Sequence, residues 1–268
     1  MDWALDYYTQ QSRTFARARV TEAHRSIAAR LDAWCRELPS CRRVLELGSG
    51  NGGTAAALAA LGRDVWAVEL NPADVALARQ LAASAGPGAV HVVEGDFYEV
   101  AWPFRFDFVY YWDGFGIGSD DDQRRLLRRI GTEWLAPEGR ALIDVFSPWR
   151  WRERHGETSV HAALDGSSWQ RQVTFDDSGS RLVDTWSPVG SEGSSRSQTI
   201  RCYTLGEIVG LLEGTGLRVD RLLGMDGRVL GDPVREDAPS DYLAATNGFF
   251  ALLAPDTASS APESAPRP

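Results

Sequence analysis

The sequence predicts an α/β fold in which a mostly parallel β-sheet is covered by helices on both faces. Short apolar runs alternate with helical patterns over residues 43–146, which is typical of a parallel sheet. A glycine-rich turn over 48–53 directly follows the first predicted strand and begins an alanine-rich helix. The chain has 268 residues, enough for one large α/β domain with an elaboration.

The composition argues against several classes of protein. The formal net charge of −9 disfavours a nucleic-acid partner, because phosphate binding usually needs a basic surface. No apolar run approaches the roughly 18 residues needed to span a bilayer, and no signal-peptide pattern is visible. Three cysteines without metal-ligand spacing fit a reduced cytoplasm and predict no metal site. We therefore expect a cytoplasmic protein that acts on a small molecule, away from membranes; homo-oligomer formation is left open.

Two helices are predicted ahead of the sheet, as an N-terminal helical cap over residues 1–40. Apolar residues at steps of three and four predict an amphipathic helix over 20–38, which Pro39 ends. Aromatic residues between Trp3 and Phe15 suggest a shorter helical segment before it. This segment is expected to fold over a neighbouring surface.

The predicted core over residues 41–146 contains the first five strands. Asn71 is expected to cap the helix after the second strand, with Pro72 in its first turn. A further helix begins near Ser119, and a turn over 135–139 precedes the fifth strand. The strands are predicted at 44–47, 65–70, 90–93, 106–112 and 141–146.

A change of pattern after the fifth strand predicts an antiparallel β insert, or lid, over residues 147–203. Thr204 and Glu207 then form a capping box for a helix through about 213. This helix opens the C-terminal part of the core, 204–254, and the Pro-, Ser- and Ala-rich tail over 255–268 is predicted to be disordered. The insert strands are predicted at 169–175, 181–186 and 197–203, and the last core strands at 217–223 and 249–253.

The glycine turn fits two fingerprints. Gly48, Gly50 and Gly53 satisfy the dinucleotide pattern G-x-G-x-x-G, which is weak evidence alone. Glu46 with the glycines at 48, 50 and 52 satisfies E-x-G-x-G-x-G instead, which makes Gly52 a candidate contact. An acid would repel a pyrophosphate but attract the ammonium of S-adenosylmethionine, so Glu46 favours the second pattern.

Two further acids close the next two predicted strands. Glu69 could accept both hydroxyls of a ribose, although that position alone also fits NAD. Asp96 could accept from an adenine amino group while the ring of Phe97 packs on the base. Leu70 and Trp112, which end strands two and four, are expected to contact the same ligand. A single strand-end acid is often only a cap or surface charge, but three of them behind a glycine turn favour a cofactor site.

These segments resemble the class I S-adenosylmethionine-dependent methyltransferases, particularly small-molecule enzymes of bacterial natural-product type. The resemblance implies a Rossmann-like, seven-stranded sheet whose last strand is antiparallel. It rests on residues 44–52, 65–71, 94–97, 106–115 and 135–145. The cofactor contacts that it implies are Glu46, Gly48, Gly50, Glu69 and Asp96.

The acceptor is expected beyond the carboxyl ends of the strands. Asp113 directly follows the fourth strand and is the best-placed carboxylate for a catalytic role. His155 and His161 in the insert are alternative bases because histidine titrates near neutrality, but each could equally be a solvated loop residue. The expected substrate-binding residues are Tyr8, Phe115, Arg201 and Tyr203. Arg201 could pair with an acid of the insert instead of binding the substrate.

Methyl transfer to an oxygen or nitrogen of a small, secondary-metabolite-like acceptor, by in-line displacement, is the leading hypothesis. One alternative keeps the cofactor but uses its sulfonium only as an electrostatic element in a cyclisation. The other is a Rossmann oxidoreductase, which Glu46 and Asp96 disfavour. The sequence does not predict which molecule is the methyl acceptor.

Overall fold

Helices and strands form two β-sheets in a computed structural model that describes residues 2–84, 86–190, 195–230, 243 and 245–256. No helix among these residues is both long and apolar enough to cross a membrane. The strands are β1 (Arg43–Leu47), β2 (Asp64–Glu69), β3 (Ala89–Glu94), β4 (Phe106–Tyr111), β5 (Leu135–Phe146), β6 (Thr158–Ala162), β7 (Ser168–Asp176), β8 (Arg181–Pro188), β9 (Arg196–Arg201), β10 (Leu217–Gly224) and β11 (Gly248–Pro255). The α-helices are α1 (Asp2–Phe15), α2 (Glu22–Cys35), α3 (Gly53–Ala59), α4 (Pro72–Ala82), α5 (Asp120–Arg129), α6 (Pro148–Glu153) and α7 (Leu205–Leu212), and a π-helical turn spans Ile130–Trp134.

The larger sheet has seven strands in the order β3-β2-β1-β4-β5-β11-β10. Strands β3, β2, β1, β4 and β5 pair in parallel, whereas β11 runs antiparallel to both of its neighbours. The predicted Rossmann-like sheet with an antiparallel last strand is therefore confirmed. The carboxyl ends of β1, β2 and β4 meet at one edge, where open α/β sheets bind ligands.

Both faces of the central strands are buried, because β1, β4 and β11 are mostly apolar runs. Leu45 packs into a core beneath α5 and α7, which also contains Trp134. Its neighbour Val44 points to the opposite face, where Leu31 of α2 and Ala57 of α3 cover the sheet. Residues that follow these strands are thereby held on a rigid frame.

The helix caps expected from the sequence are present. Asn71 Oδ1 accepts a hydrogen bond from Ala73 N at 3.1 Å, and Pro72 occupies the first turn of α4. Ser119 and Thr204 form capping boxes that begin α5 and α7. A side chain that accepts from an unpaired N–H fixes the first residue of a helix, and these helix starts therefore follow from local sequence.

Two helices precede the sheet, as predicted. α1 and α2 each contain 14 residues, so the first is not the shorter one. α1 packs against α4 and β9. Ser12 Oγ donates to Asp74 Oδ1 of α4 at 2.7 Å, and Leu164 N of the insert donates to Thr14 O at 2.9 Å. α1 therefore bridges the core and the insert.

The insert between β5 and α7 contains α6 and a second sheet of order β6-β7-β8-β9, antiparallel throughout. Its last three strands are the predicted ones. β6 was missed because all five of its residues are exposed, so no alternation of apolar and polar residues marks it. The six-residue α6 was missed because it is too short to show a helical period.

Two sequence predictions about chain path are wrong. Residues 135–139 form no separate turn but begin β5, with a bulge that places Leu135 opposite Phe106 and Arg140 opposite Phe108. A bulge accommodates extra residues without ending the strand, so the proline and glycine there are tolerated. Pro255 belongs to β11 rather than to a disordered tail. Residues 257–268 lie outside the described residues, and the domain boundaries given above stay a prediction.

Candidate active site

A cavity of about 640 Å³ lies where the carboxyl ends of β1, β2 and β4 meet. α1 and α2 supply its outer wall, through residues that include Tyr8 and His24. Its inner wall comes from the glycine turn and from the segments that follow β2, β3 and β4. The predicted site residues that line it are Tyr8, Glu46, Gly48, Gly50, Glu69, Leu70, Asp96, Phe97, Trp112 and Asp113.

The glycine turn needs its glycines for two separate reasons. Gly48 and Gly50 have φ angles of +61° and +53°, in the left-handed region that other residues rarely adopt. A Cβ on Gly48 would also lie 3.2 Å from the Tyr111 ring. The backbone can therefore pass close to a ligand in the cavity.

Glu69 is locked in place by this turn. Its Oε2 accepts from Gly50 N and its Oε1 from Asn71 N, both at 2.8 Å. Burial raises the pKa of Glu69, although the backbone bonds oppose that shift. Each carboxylate oxygen can accept a second hydrogen bond, so the side chain suits a pair of vicinal hydroxyls.

Glu46 is a buried acid that is only 5% exposed. Its Oε2 and the hydroxyl of Ser49 are buried without a hydrogen-bond partner in the described part of the chain. Burial raises the pKa of Glu46 to about 8. Buried polar atoms without partners are costly and therefore indicate a missing group, for which the ammonium of S-adenosylmethionine is chemically suitable.

The segment after β3 provides an aromatic surface beside an acid. Asp96 Oδ1 accepts from Tyr98 N at 2.8 Å, which shapes the turn. The Phe97 ring packs edge-on against Tyr111, with ring centroids 5.4 Å apart. Tyr98 also lines the cavity, a contact that the sequence prediction missed. Together with Glu46 and Glu69, these residues fit S-adenosylmethionine, which carries an adenine, a ribose and an ammonium but no phosphate.

Asp113 follows β4 with a φ of +60°, an unusual conformation for a residue other than glycine. Its side chain is open to the cavity, and its carboxylate makes no hydrogen bond with any described residue. Surrounding protein raises the pKa of Asp113 to about 6, and the charge of Arg171 limits the shift. Asp144 Oδ2 accepts from Asp113 N at 2.8 Å.

α1 and the insert meet beside Asp113. Tyr8 Oη donates to Gln198 Oε1 at 2.6 Å, and Tyr7 Oη donates to Asp184 Oδ2 at 3.4 Å. Arg171 donates to both oxygens of Asp184, at 2.7 and 3.2 Å. The sequence analysis missed this network because its members lie on α1 and on three strands of the insert, β7, β8 and β9. The network fixes Tyr8 at the cavity.

The structure does not bring the two insert histidines to the cavity. His155 Nδ1 accepts from Phe175 N at 3.1 Å, and the His161 ring lies 4.9 Å from Trp186. Both are exposed, so a catalytic role for them has no geometric basis. His24 of α2 lines the cavity, and its Nδ1 accepts from the N–H of the α2 cap.

Three of the expected substrate-binding residues also lie elsewhere. Arg201 donates to Glu207 at 2.6 Å and packs over the ring of Tyr203. Tyr203 Oη donates to Asp120 at 2.8 Å, and fully buried Phe115 packs against its ring. This cluster joins α5 to α7, and Arg201 pairs with acids of those two helices rather than of the insert.

Gly52 is not among the residues that line the cavity and packs against α4 instead. It caps α3 with a φ of +74°, and a Cβ there would lie 2.7 Å from Ala78 Cβ. Its absence of a side chain lets α3 approach α4. The E-x-G-x-G-x-G pattern therefore combines two glycines for the cavity with one for the helices.

Comparison with known sequences identifies the segment that carries this geometry. The family described as "Methyltransferase domain" matches residues 44–139, which contain the glycine turn, Glu69, Asp96 and Asp113. A comparison with curated proteins finds no match.

Solved methyltransferase structures share the fold over nearly the whole chain. The CcbJ methyltransferase from Streptomyces caelestis is similar with a TM-score of 0.68 and 22% identity, over 88% of this chain and 90% of that one. CalS10, an amino pentose methyltransferase from Micromonospora echinaspora, gives 0.59 and 19% over 94% and 96%. The sugar N-methyltransferase KedS8 from Streptoalloteichus sp gives 0.61 and 20% over 88% of each chain. Residues 44–139 therefore match the methyltransferase-domain family, and the chain shares the fold of these solved methyltransferases.

Proposed function

We propose that the chain methylates a nitrogen of a small-molecule amine, with S-adenosylmethionine as the methyl donor. The observation that carries the proposal is the unpaired carboxylate of Asp113 in a cavity rich in acids. Arg125 is the one permanently cationic side chain among the described residues that line the cavity. The lining acids are Glu46, Glu69, Asp74, Asp96, Glu99, Asp113 and Asp122.

Most of these acids already have partners within the chain. Asp74 accepts from Ser12, and Glu99 pairs with Arg125. The side chain of Asp122 completes the α5 capping box. Asp113 stays available for a ligand. A carboxylate attracts an ammonium by charge as well as by hydrogen bonding, whereas an uncharged alcohol offers the hydrogen bond alone.

Residues of the core bind different parts of the cofactor in this proposal. We assign Glu46 to the ammonium of the cofactor, Glu69 to its ribose, and Asp96 with Phe97 to its adenine. When bound, S-adenosylmethionine supplies a methyl group that passes to the acceptor nitrogen while the sulfur keeps the electron pair of the broken bond. Tyr8, held by Gln198, closes the cavity on the side of α1 and helps to exclude water.

Asp113 has two tasks in this scheme. Its carboxylate first holds the acceptor in the ammonium form, and it then accepts the proton that must leave before the nitrogen lone pair can react. The raised pKa of about 6 suits this step, because a general base works best when its pKa lies near the operating pH. The names of CalS10 and KedS8, an amino pentose methyltransferase and a sugar N-methyltransferase, support an amine acceptor.

The test compares matched amines and alcohols. The purified chain is incubated with S-adenosylmethionine carrying a deuterated methyl group and with pairs of small molecules that differ only in an amino or hydroxyl group. Mass spectrometry should find label in amines and little in their hydroxyl partners. Label in alcohols alone would replace the nitrogen acceptor by oxygen, and a converted but unlabelled product would favour the cyclase alternative. Calorimetric binding of NAD(P)H without S-adenosylmethionine binding would favour an oxidoreductase.

A further inference from the structure

We infer that Asp144 is a positioning residue whose buried carboxyl holds the backbone of Asp113 in its left-handed conformation and so aims the Asp113 side chain at the acceptor. The inference rests on the proposed function of Asp113. Asp144 does not line the cavity, so it acts through Asp113 rather than on a ligand.

The sheet register places the two residues together. β4 ends at Tyr111, which pairs with Ile143 of β5. β5 continues further, so Asp144 lies beside the first residues of the loop that follows β4. Its Oδ2 accepts from Asp113 N at 2.8 Å. The hydrogen bond therefore reaches the backbone of Asp113 from a rigid central strand.

The loop has little freedom to adopt another path. A Cβ on Gly114 would lie 2.4 Å from the Tyr111 ring, so the backbone is packed against that ring on one side. Asp144 holds the same loop through the N–H of Asp113. A left-handed residue other than glycine is strained and persists where its surroundings fix it, and such residues are concentrated at functional sites.

The fold alone does not explain an acid at this position. Asp144 is 7% exposed, and its Oδ1 is buried without a partner in the described residues. Its neighbours in β5 and its partner Phe250 in β11 are apolar. An apolar side chain would avoid the cost of this unpaired oxygen. The carboxyl accepts from the Asp113 N–H, and the backbone of the next residue, Gly114, also interacts with it.

The carboxyl does not need a charge for this task. Burial and the charge of Asp113 raise the pKa of Asp144 to about 8, so the neutral form predominates near neutrality. An asparagine has nearly the same shape and keeps a carbonyl oxygen that accepts from an N–H. A leucine has a similar volume and keeps no acceptor.

The experiment therefore compares Asp144→Leu with Asp144→Asn in the full chain. Asp144→Leu should lower kcat for an identified acceptor by about a hundredfold, since a small misplacement of a catalytic group has an effect of that size. The dissociation constant for S-adenosylmethionine, measured by calorimetry, should stay within about twofold, because the cofactor residues lie on other strands. Asp144→Asn should restore most of the lost kcat.

Three results would overturn the inference. The first is an unchanged kcat in Asp144→Leu. The second is an equal loss in both variants, which would assign the effect to the charge. The third is a parallel loss of cofactor binding in Asp144→Leu, which would indicate a purely structural role. If Asp144→Leu does not fold, Asp144→Ala takes its place with the same outcomes. An alcohol acceptor would refute the proposed amine while leaving this comparison of variants valid on that alcohol.

Discussion

Cofactor binding should become tighter as the pH rises towards 8, and Glu46 should be the cause. The pKa of Glu46 without ligand is raised to about 8, chiefly by burial. Below that pH most molecules carry a neutral carboxyl, which gives up a proton before it can pair with the ammonium of S-adenosylmethionine. The charged form then gains both a partner and a hydrogen bond at its unpaired Oε2.

The size of the effect follows from that pKa. One pKa unit corresponds to about 1.4 kcal/mol, so each pH unit below 8 should weaken binding about tenfold while the bound form stays ionised. Between pH 6 and 7 the α-amino group of the ligand stays mostly protonated, since such groups titrate near 8. The dissociation constant should therefore fall about tenfold over this interval.

Isothermal titration calorimetry measures both the dissociation constant and the number of protons released on binding. Titrations in buffers of different ionisation enthalpy report the number of protons released, which should approach about one at pH 6 to 7. Glu46→Gln is the matched control because it keeps the shape but cannot ionise. It should weaken binding at pH 7 and abolish the pH dependence. A flat affinity between pH 6 and 7, or equal proton release by the variant, would refute the reasoning, and the latter would point to Glu69, whose pKa is also raised.

The other predictions concern single residues. Asp113→Asn should lower kcat about a hundredfold or more without changing cofactor affinity, as measured by steady-state kinetics and calorimetry; retained kcat would remove the proposed base. Glu69→Ala and Asp96→Ala should each weaken S-adenosylmethionine binding roughly tenfold or more, with unchanged circular dichroism. Unchanged affinity in both variants would contradict the assigned contacts. His155→Ala and His161→Ala should leave kcat unchanged, and a loss in either would restore a catalytic role for the insert.

The cofactor half of the site could be predicted because its chemistry is local in sequence. The turn that contains Gly48 and Gly50 follows β1 directly, and its partner Glu69 ends the next strand. In a parallel sheet the ends of successive strands meet at one edge, so a strand assignment is enough to bring these residues together. No knowledge of distant packing is needed.

The acceptor half could be predicted only in part: Asp113 and Tyr8 line the cavity as expected, but the residues of the insert could not be placed. Whether an insert residue reaches the cavity depends on how the second sheet lies against α1, and no short pattern encodes that. Arg201 and Tyr203 have the right chemistry for a ligand, yet they pair with Glu207 and Asp120. One signal was available, since Asp144 is an acid within the apolar run 141–146, and buried strands seldom contain an unpaired acid.

Glu46 and Asp144 illustrate why such acids mark a site. Each lies in a central strand, each has a buried oxygen without a hydrogen bond in the described residues, and burial raises the pKa of each to about 8. Both lower the stability of the folded chain, because a hydrophobic residue in either place would avoid the cost of desolvation. Glu46 lines the cavity, so a cationic ligand can offset its cost, whereas Asp144 does not line it and acts through Asp113. The same physical anomaly therefore indicates binding in one strand and positioning in the other, and access to the cavity distinguishes the two.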